Sequence, residues 1–162
     1  MSEIRIQPLA SGTEASQCAT MMATSEPWIT FGRTFDECLS VLRDVSREVY
    51  VAHDVQRPVG FVILNMHGAF VGYIQIICVA AEARSRGIGT ELMSFAEGRI
   101  FRESPNAFLC VSSFNHRAKE LYESLGYRVV GEMPDYLMRG HSEILMRKSI
   151  APIDDFRKKR SP

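Results

Sequence analysis

Residues 77–90 read Ile-Cys-Val-Ala-Ala-Glu-Ala-Arg-Ser-Arg-Gly-Ile-Gly-Thr and join an apolar, β-rich run to a helical pattern. The first turn of a helix presents backbone amides that lack partners, and the helix dipole favours an anion there by roughly 0.3 to 1 kcal/mol. Gly87 and Gly89 let phosphate oxygens approach the backbone, while Arg84 and Arg86 add positive charge. The stretch predicts a diphosphate-binding turn; a plain turn with two solvated arginines is the alternative.

The flanking segments predict a β-α-β unit. Gly72–Val79 is almost continuously apolar, as expected of a strand that is buried on both faces. Gly87–Arg102 carries apolar residues at helical spacing, and Phe108–Val111 returns to a buried strand. This order of elements is typical of a mixed α/β domain.

The remaining segments are assigned from periodicity, capping residues and turn signals. In the first half we expect a strand at Ile4–Leu9, helices at Ala15–Thr24 and after a capping box at Thr34–Glu37, and a hairpin of Val49–His53 and Gly60–Leu64. In the second half we expect a helix at Asn115–Leu125 ended by Gly126, strands at Tyr127–Val130 and Ser142–Arg147, and a loose tail at Ile153–Pro162.

Length and composition limit the class of protein. The 162 residues fit one domain, which we place at residues 1–150, followed by a short polar and basic tail at 151–162. Lys and Arg (19) balance Asp and Glu (19), so the overall charge gives no signal of a nucleic-acid surface, and we expect no nucleic-acid partner. The chain shows neither an apolar run long enough for a membrane span nor a signal-peptide pattern, so we expect a cytoplasmic protein without a membrane partner.

The four cysteines are widely spaced and lie in apolar surroundings: Cys18, Cys38, Cys78 and Cys110. No close pair suggests a zinc site, so we expect buried, reduced thiols and no metal.

The glycine motif excludes two nucleotide-binding classes and resembles a third family. No Gly-Lys-Ser/Thr follows, as a Walker loop requires, and the third glycine of a dinucleotide-binding loop is absent. Arg84, Gly87 and Gly89 resemble the Arg/Gln-x-x-Gly-x-Gly/Ala signature of the GNAT superfamily of N-acetyltransferases. Residues 115–127, from Asn115 to Tyr127, are similar to the family's Asn-x-x-Ala-x-x-Leu-Tyr-x-x-x-Gly-Phe/Tyr segment.

The resemblance implies the acyl-CoA N-acyltransferase fold of this family. It is a mixed α/β fold whose twisted, mostly antiparallel sheet has six to seven strands, with a splayed parallel pair and about four flanking helices. The implied co-substrate is acetyl-CoA. The residues expected to hold it are Ile77, Cys78, Val79, Arg84, Ser85, Arg86, Gly87, Ile88, Gly89, Thr90 and Asn115.

The resemblance also implies catalytic roles. Tyr122 matches the tyrosine that protonates the departing thiolate, although a core aromatic is the alternative. An amide near Val79 is expected to polarise the thioester carbonyl. Asn115 is expected either to bind the ligand or to act only as a helix cap.

The general base stays open. Ribosomal-protein-alanine acetyltransferases carry a glutamate where this chain has Cys110, and histone-type members carry one where it has Tyr73. Tyr73 is the leading catalytic candidate for this step, and a water relay is an alternative. The other candidates are Glu26, His67, Asp135 and Glu143.

The expected reaction is direct attack of a primary amine on acetyl-CoA in a ternary complex. Residues 133–136 and 140–148 resemble the last strands of peptide α-amine acetyltransferases, which makes a peptide or protein amine the leading acceptor. Four aromatic residues are candidates to line the groove that binds the acceptor, with a place in the core as the alternative: Trp28, Phe31, Phe70 and Tyr136.

Four alternatives remain. In the first, the acceptor is a small-molecule amine such as an amino acid, polyamine or antibiotic. In the second, the chain is a non-catalytic acyl-CoA-binding module. An acyl-cysteine at Cys78 or Cys110, and an adaptor that binds through residues 157–160, have less support. A homodimer is compatible with the family, in which dimers are common.

Overall fold

The computed structural model describes residues 3–160. Within this range the strands are β1 (Ile4–Pro8), β2 (Glu48–Asp54), β3 (Arg57–Asn65), β4 (Tyr73–Val79), β5 (Asn106–Ser112), β6 (Arg128–Pro134) and β7 (Ser142–Ser149). The helices are α1 (Gly12–Ala23), α2 (Phe35–Leu42), α3 (Ile88–Ile100), α4 (His116–Ser124) and α5 (Ile153–Lys158), and a single 3-10 turn spans Ala81–Ala83.

The strands form a seven-stranded sheet in the order β1-β2-β3-β4-β5-β7-β6. The β1–β2, β2–β3, β5–β7 and β6–β7 pairs are antiparallel. The β4–β5 pair is parallel, with Tyr73 opposite Phe108 and Ile74 opposite Leu109 at the start of both strands. The predicted mixed α/β fold with a mostly antiparallel sheet and one parallel pair is confirmed.

The chain divides into two compact units, the first of which comprises the residues up to Asn65 together with Gln75–Ala96. Helices α1 and α2 pack over the sheet of this unit around the buried side chains of Val51, Phe61 and Ile63. The predicted capping box begins α2, because the Thr34 amide donates to a Glu37 carboxylate oxygen at 2.8 Å and the Glu37 amide donates to Oγ1 of Thr34 at 3.3 Å.

The second unit comprises Met66–Ile74 and the residues from Glu97 onward. Its fully buried side chains include Ile100, Tyr127 and Met146. The placement of residues 1–150 in a single folding domain stays a prediction.

Gly72 joins the parallel strands, since its carbonyl accepts the Phe108 amide at 2.9 Å. Its φ is +91°, and a Cβ atom there would lie 2.5 Å from the Asn106 carbonyl oxygen. We expect Gly72→Ala to lower the free energy of unfolding by about 2 to 4 kcal/mol, because backbone strain adds to a clash with main chain. Chemical denaturation measures this, with Gly68→Ala as the control.

Gly68 has nearly the same φ, +81°, but no atom lies within 4 Å of the position that a Cβ would take, so only the strain of about 1 to 2 kcal/mol applies. Equal stabilities of the two variants would contradict the importance of the close approach at Gly72.

Several expectations are corrected. The tail is not loose throughout, because residues 153–158 form α5, with Asp154 and Asp155 in its first turn, where their charge interacts favourably with the helix dipole. Residues 161 and 162 of the predicted tail lie outside the described residues. This adds a fifth α-helix to the four expected. Side chains of β4 alternate between buried and half-buried, so burial on both faces is wrong for this strand. Cys110 is half-buried, whereas the other three cysteines are buried.

No α-helix in the part of the chain that the structure describes is long and apolar enough to cross a membrane.

Candidate active site

The predicted phosphate turn connects β4 to α3 within the first unit. After β4 the Ala80 amide donates to the Val59 carbonyl at 2.9 Å, and the 3-10 turn follows. The first amide bonded within α3 is that of Glu91, which donates to the Gly87 carbonyl at 3.0 Å. The amides of residues 88–90 precede this bond, so they need acceptors from outside the helix.

Gly87 leaves room for such an acceptor. Its φ is +82°, which favours glycine, and no atom lies within 4 Å of the position that a Cβ would take. Ser85 also has a positive φ, +63°. The Ile88 side chain is buried at 1% exposure, which anchors the start of α3 in the core. A rigid helix start with open space before it is suited to an anionic group.

Arg84 ties the turn to its surroundings. Its Nε donates to the Val79 carbonyl at 3.2 Å, and its Nη2 donates to the Ser25 hydroxyl at 3.1 Å. Ser25 is buried and in turn donates to the Met21 carbonyl at 2.7 Å. The signature arginine therefore connects the end of β4 with the end of α1, in addition to the charge it brings.

Arg86 forms an ion pair with Asp54, with 2.7 Å between Nη2 and Oδ2. The side chains are 42% and 21% exposed, and such pairs contribute only about 0 to 1 kcal/mol. A bound phosphate can compete for Arg86 at little cost. Ser85 and Thr90 are exposed on the same turn.

The end of β4 carries the other residues expected at the thioester. Ile77 and Val79 are half-buried, and Cys78 is buried between them. Burial raises the pKa of the Cys78 thiol to about 12, against smaller opposing effects of Ser25 and Arg84. Gly60 of β3 approaches closely, because a Cβ there would lie 2.9 Å from the Cys78 carbonyl oxygen.

Tyr122 lies on α4 in the second unit, and Asn115 caps the start of this helix. Tyr122 is 6% exposed and its ring packs edge-on against Tyr127, with centroids 6.2 Å apart. Burial raises the pKa of Tyr122 to about 12, so its phenol keeps its proton at neutral pH. Asn115 Oδ1 accepts the Ala118 amide at 3.3 Å, which is the predicted helix-cap role.

The structure brings two of the five base candidates, Tyr73 and Glu143, together. Tyr73 and Cys110 are close enough to affect each other's pKa, and burial is the largest cause that raises the pKa of each. Glu143 is 4% exposed and its Oε1 accepts the Ser112 hydroxyl at 2.6 Å. Its charge acts on both Tyr73 and Cys110. Burial raises the pKa of the Glu143 carboxyl.

The other three base candidates are Glu26, His67 and Asp135, each in its own local environment. Glu26 Oε2 accepts from the amide and hydroxyl of Thr30, at 3.2 and 2.8 Å. Asp135 Oδ1 accepts the Gly140 amide at 2.6 Å and holds the loop between β6 and β7. His67 is exposed. The two carboxylates therefore stabilise local turns.

The four aromatic candidates divide between core and surface. Trp28 packs against the core of the first unit, and Phe31 is half-buried. Phe70 and Tyr136 are 53% and 60% exposed, and Phe70 packs edge-on against Phe108 at 5.0 Å. Across residues 3–160, no group of three or more His, Cys, Asp or Glu side chains is arranged to hold a metal ion.

Comparison with known proteins supports the resemblance to acetyltransferases that the sequence motifs indicated. The model of the acetyltransferase (GNAT) family matches residues 15–127. Blasticidin-S acetyltransferase of Streptomyces morookaense is 30% identical over 91 residues, which span 52% of this chain and 67% of that protein.

Two solved structures share the fold at low identity. An aminoglycoside 6'-N-acetyltransferase complexed with coenzyme A aligns with a TM-score of 0.73 and 20% identity, over 91% of this chain and 98% of that one. The ribosomal-protein-S18-alanine N-acetyltransferase of Escherichia coli aligns with a TM-score of 0.74 and 17% identity, over 93% of this chain and 96% of that one.

Proposed function

Because the chain belongs to the GNAT family of acetyltransferases, we propose that it transfers the acetyl group of acetyl-CoA to a primary amine by direct attack in a ternary complex. The open start of α3 carries this proposal: three amides without helical acceptors, beside the empty space at Gly87. Acetyl-CoA supplies a reactive thioester, and its diphosphate suits these amides.

We assign the cofactor to the residues expected from the sequence. Gly87, Ile88, Gly89 and Thr90 offer backbone amides to the diphosphate, and Ser85 and Arg86 lie on the same turn. Arg84 acts mainly by holding the turn to β4 and α1. Along β4, the backbone of Ile77, Cys78 and Val79 is assigned to the pantetheine arm and thioester, and Asn115 to the same ligand.

Tyr122 is assigned to proton transfer and Tyr73 to the site of the acceptor. Tyr122 donates a proton to the departing sulfur, a role that its raised pKa supports because the phenol is kept protonated. Tyr73 also stays protonated, since burial raises its pKa, so it contributes to the acceptor site rather than acting as the base. The raised pKa values of Cys78 and Cys110 oppose an acyl-cysteine route.

The acceptor is either a peptide amine or a small-molecule amine. A peptide or protein amine follows from the resemblance of the last two strands. The similarity to a blasticidin-S acetyltransferase favours a small-molecule amine as the second candidate. A cytoplasmic location and a homodimer accompany the proposal as predictions that fractionation and sedimentation can test.

A panel of acceptors tests the proposal. Purified protein with acetyl-CoA is given N-terminal peptides, blasticidin S, an aminoglycoside or spermidine, and release of the CoA thiol is followed. Saturable release with one class identifies the acceptor. Tight binding of acetyl-CoA without release in any arm would favour the non-catalytic binding module, and no binding of acetyl-CoA would overturn the proposal.

A further inference from the structure

A group of side chains in the second unit shares one face of β4, β5 and β7, and we call it the β7 carboxylate cluster: Tyr73, Phe108, Cys110, Ser112 and Glu143. Register places Tyr73 opposite Phe108 and Ser112 opposite Glu143. Alternate residues of a strand share a face, so Phe108, Cys110 and Ser112 point the same way.

This face is the more open one. The intervening residues of β5 are buried in the core: Ala107, Leu109 and Val111. In contrast, Tyr73, Phe108 and Cys110 are each half-buried. The cluster is therefore reached by solvent at Tyr73, Phe108 and Cys110, while Glu143 is only 4% exposed.

Glu143 lacks the cation that a buried carboxylate normally requires. Among residues 3–160 its hydrogen-bond partner is the Ser112 hydroxyl, at 2.6 Å, and no Lys, Arg or His pairs with it. Burial of an unpaired charge is costly, because protein dipoles replace water only in part. An external cation would remove this cost.

Arg147 shares the face of β7 with Glu143, but it lies opposite Phe108, is exposed, and is not among the groups that shift the pKa of Glu143. Cys110 on β5 and Tyr73 on β4 are acids, as is Tyr136 in the loop before β7, whose charge acts on Tyr73. His141 precedes Glu143 by two residues, and its ring packs edge-on against Phe114 at 4.9 Å.

Resting on the proposed function, we propose that the β7 carboxylate cluster binds the ammonium group of the acceptor, and that Glu143 accepts the proton which this group loses before attack. The ammonium supplies the missing cation. The aromatic rings of Tyr73 and Phe108, with Phe70 against Phe108, add faces that attract a cation. The preferred acceptor is a primary amine carried on an apolar or aromatic stem.

The proton balance is complete. The ammonium gives one proton to Glu143, and the freed lone pair forms the C–N bond to the acetyl carbonyl carbon. The C–S bond breaks and its electron pair leaves on sulfur, which takes a proton from Tyr122. The new amide nitrogen then loses its surplus proton, which restores Tyr122, and Glu143 releases its own proton to water. Burial raises the pKa of Glu143 in the direction of neutral pH, which makes its carboxylate a stronger base.

Glu143→Gln tests the proposal kinetically, because the change removes the charge and keeps the shape. We expect kcat/KM for the amine to fall about 100-fold or more, with the Kd for acetyl-CoA unchanged. Wild-type kcat/KM should fall as pH drops through the raised pKa of Glu143, where its proton-accepting form is lost. The variant should lack this step and rise by about tenfold per pH unit until the amine deprotonates by itself. Glu132→Gln, an exposed position on β6, is the matched control and should behave as wild type.

A second readout does not require transfer. NMR of isotopically labelled glutamate carboxyl carbons identifies the Glu143 signal by its loss in Glu143→Gln. We expect it to titrate above the ordinary range of a glutamate and to shift with benzylamine, but not with benzyl alcohol. If the wild type binds acetyl-CoA and acetylates no amine, the proposed function fails and this titration alone decides the ammonium site. Full activity of Glu143→Gln with an unchanged pH profile, joint loss of acetyl-CoA binding, or a Glu143 signal indifferent to benzylamine would each overturn the inference.

Discussion

Replacement of Gly87 by glutamate is expected to weaken acetyl-CoA binding by about 30- to 1000-fold. The new side chain would enter the open space at the start of α3, where the diphosphate is proposed to bind. Repulsion between a carboxylate and a phosphate held about 4 Å apart near the protein surface is worth about 2 to 4 kcal/mol. Isothermal titration calorimetry with acetyl-CoA measures the change.

The control for this variant is Gly68→Glu. Gly68 has a φ of +81°, against +82° at Gly87, and is likewise free of atoms within 4 Å of a Cβ. Both variants therefore carry the same backbone strain and the same added charge, but only one changes the phosphate turn. Binding that is equally weakened in both, or in neither, would argue against a diphosphate at the start of α3.

Tyr122→Phe should lower kcat by about 100- to 10000-fold, because the departing thiolate would lose its proton donor. The ring remains, so packing against Tyr127 is kept and acetyl-CoA binding should change little. The raised pKa of about 12 keeps the donor protonated below that pH. The wild-type rate should therefore show no alkaline loss assignable to Tyr122 between about pH 7 and 10.

Tyr127→Phe makes the same chemical change on the neighbouring ring. Tyr127 is fully buried, which is the largest cause of its raised pKa, and the nearby Glu97 raises the pKa further. This variant should keep its kcat even if it loses stability. A kcat for Tyr122→Phe near that of Tyr127→Phe would return Tyr122 to the role of a core aromatic.

The fold was predictable because local signals agreed with one another. The phosphate turn, the Asn115 helix and the capping box at Thr34 are each encoded within a few residues. Helix α5 was missed because six residues carry too little apolar periodicity, although acidic residues at its start and basic ones at its end were a usable signal. Helix α1 begins at Gly12, earlier than expected, because the Ser11 hydroxyl accepts the Glu14 amide.

The candidate site was less predictable because its contacts depend on strand register. Ser112 and Glu143 are 31 residues apart, and a slip of one residue between β5 and β7 would turn Glu143 to the opposite face. Arg84 and Ser25 are 59 residues apart and meet only once α1 has packed. No short motif encodes either pair.

The environment of the cysteines has a practical consequence for assays of this enzyme. Cys18 and Cys78 have pKa values of about 12, so about one in ten thousand of each is thiolate at pH 8. Cys38 is also buried with a raised pKa. Disulfide reagents that react with thiolates should therefore label these three cysteines slowly, so the reagents can report the release of free coenzyme A continuously. The half-buried Cys110 should account for most of the background reaction with the protein.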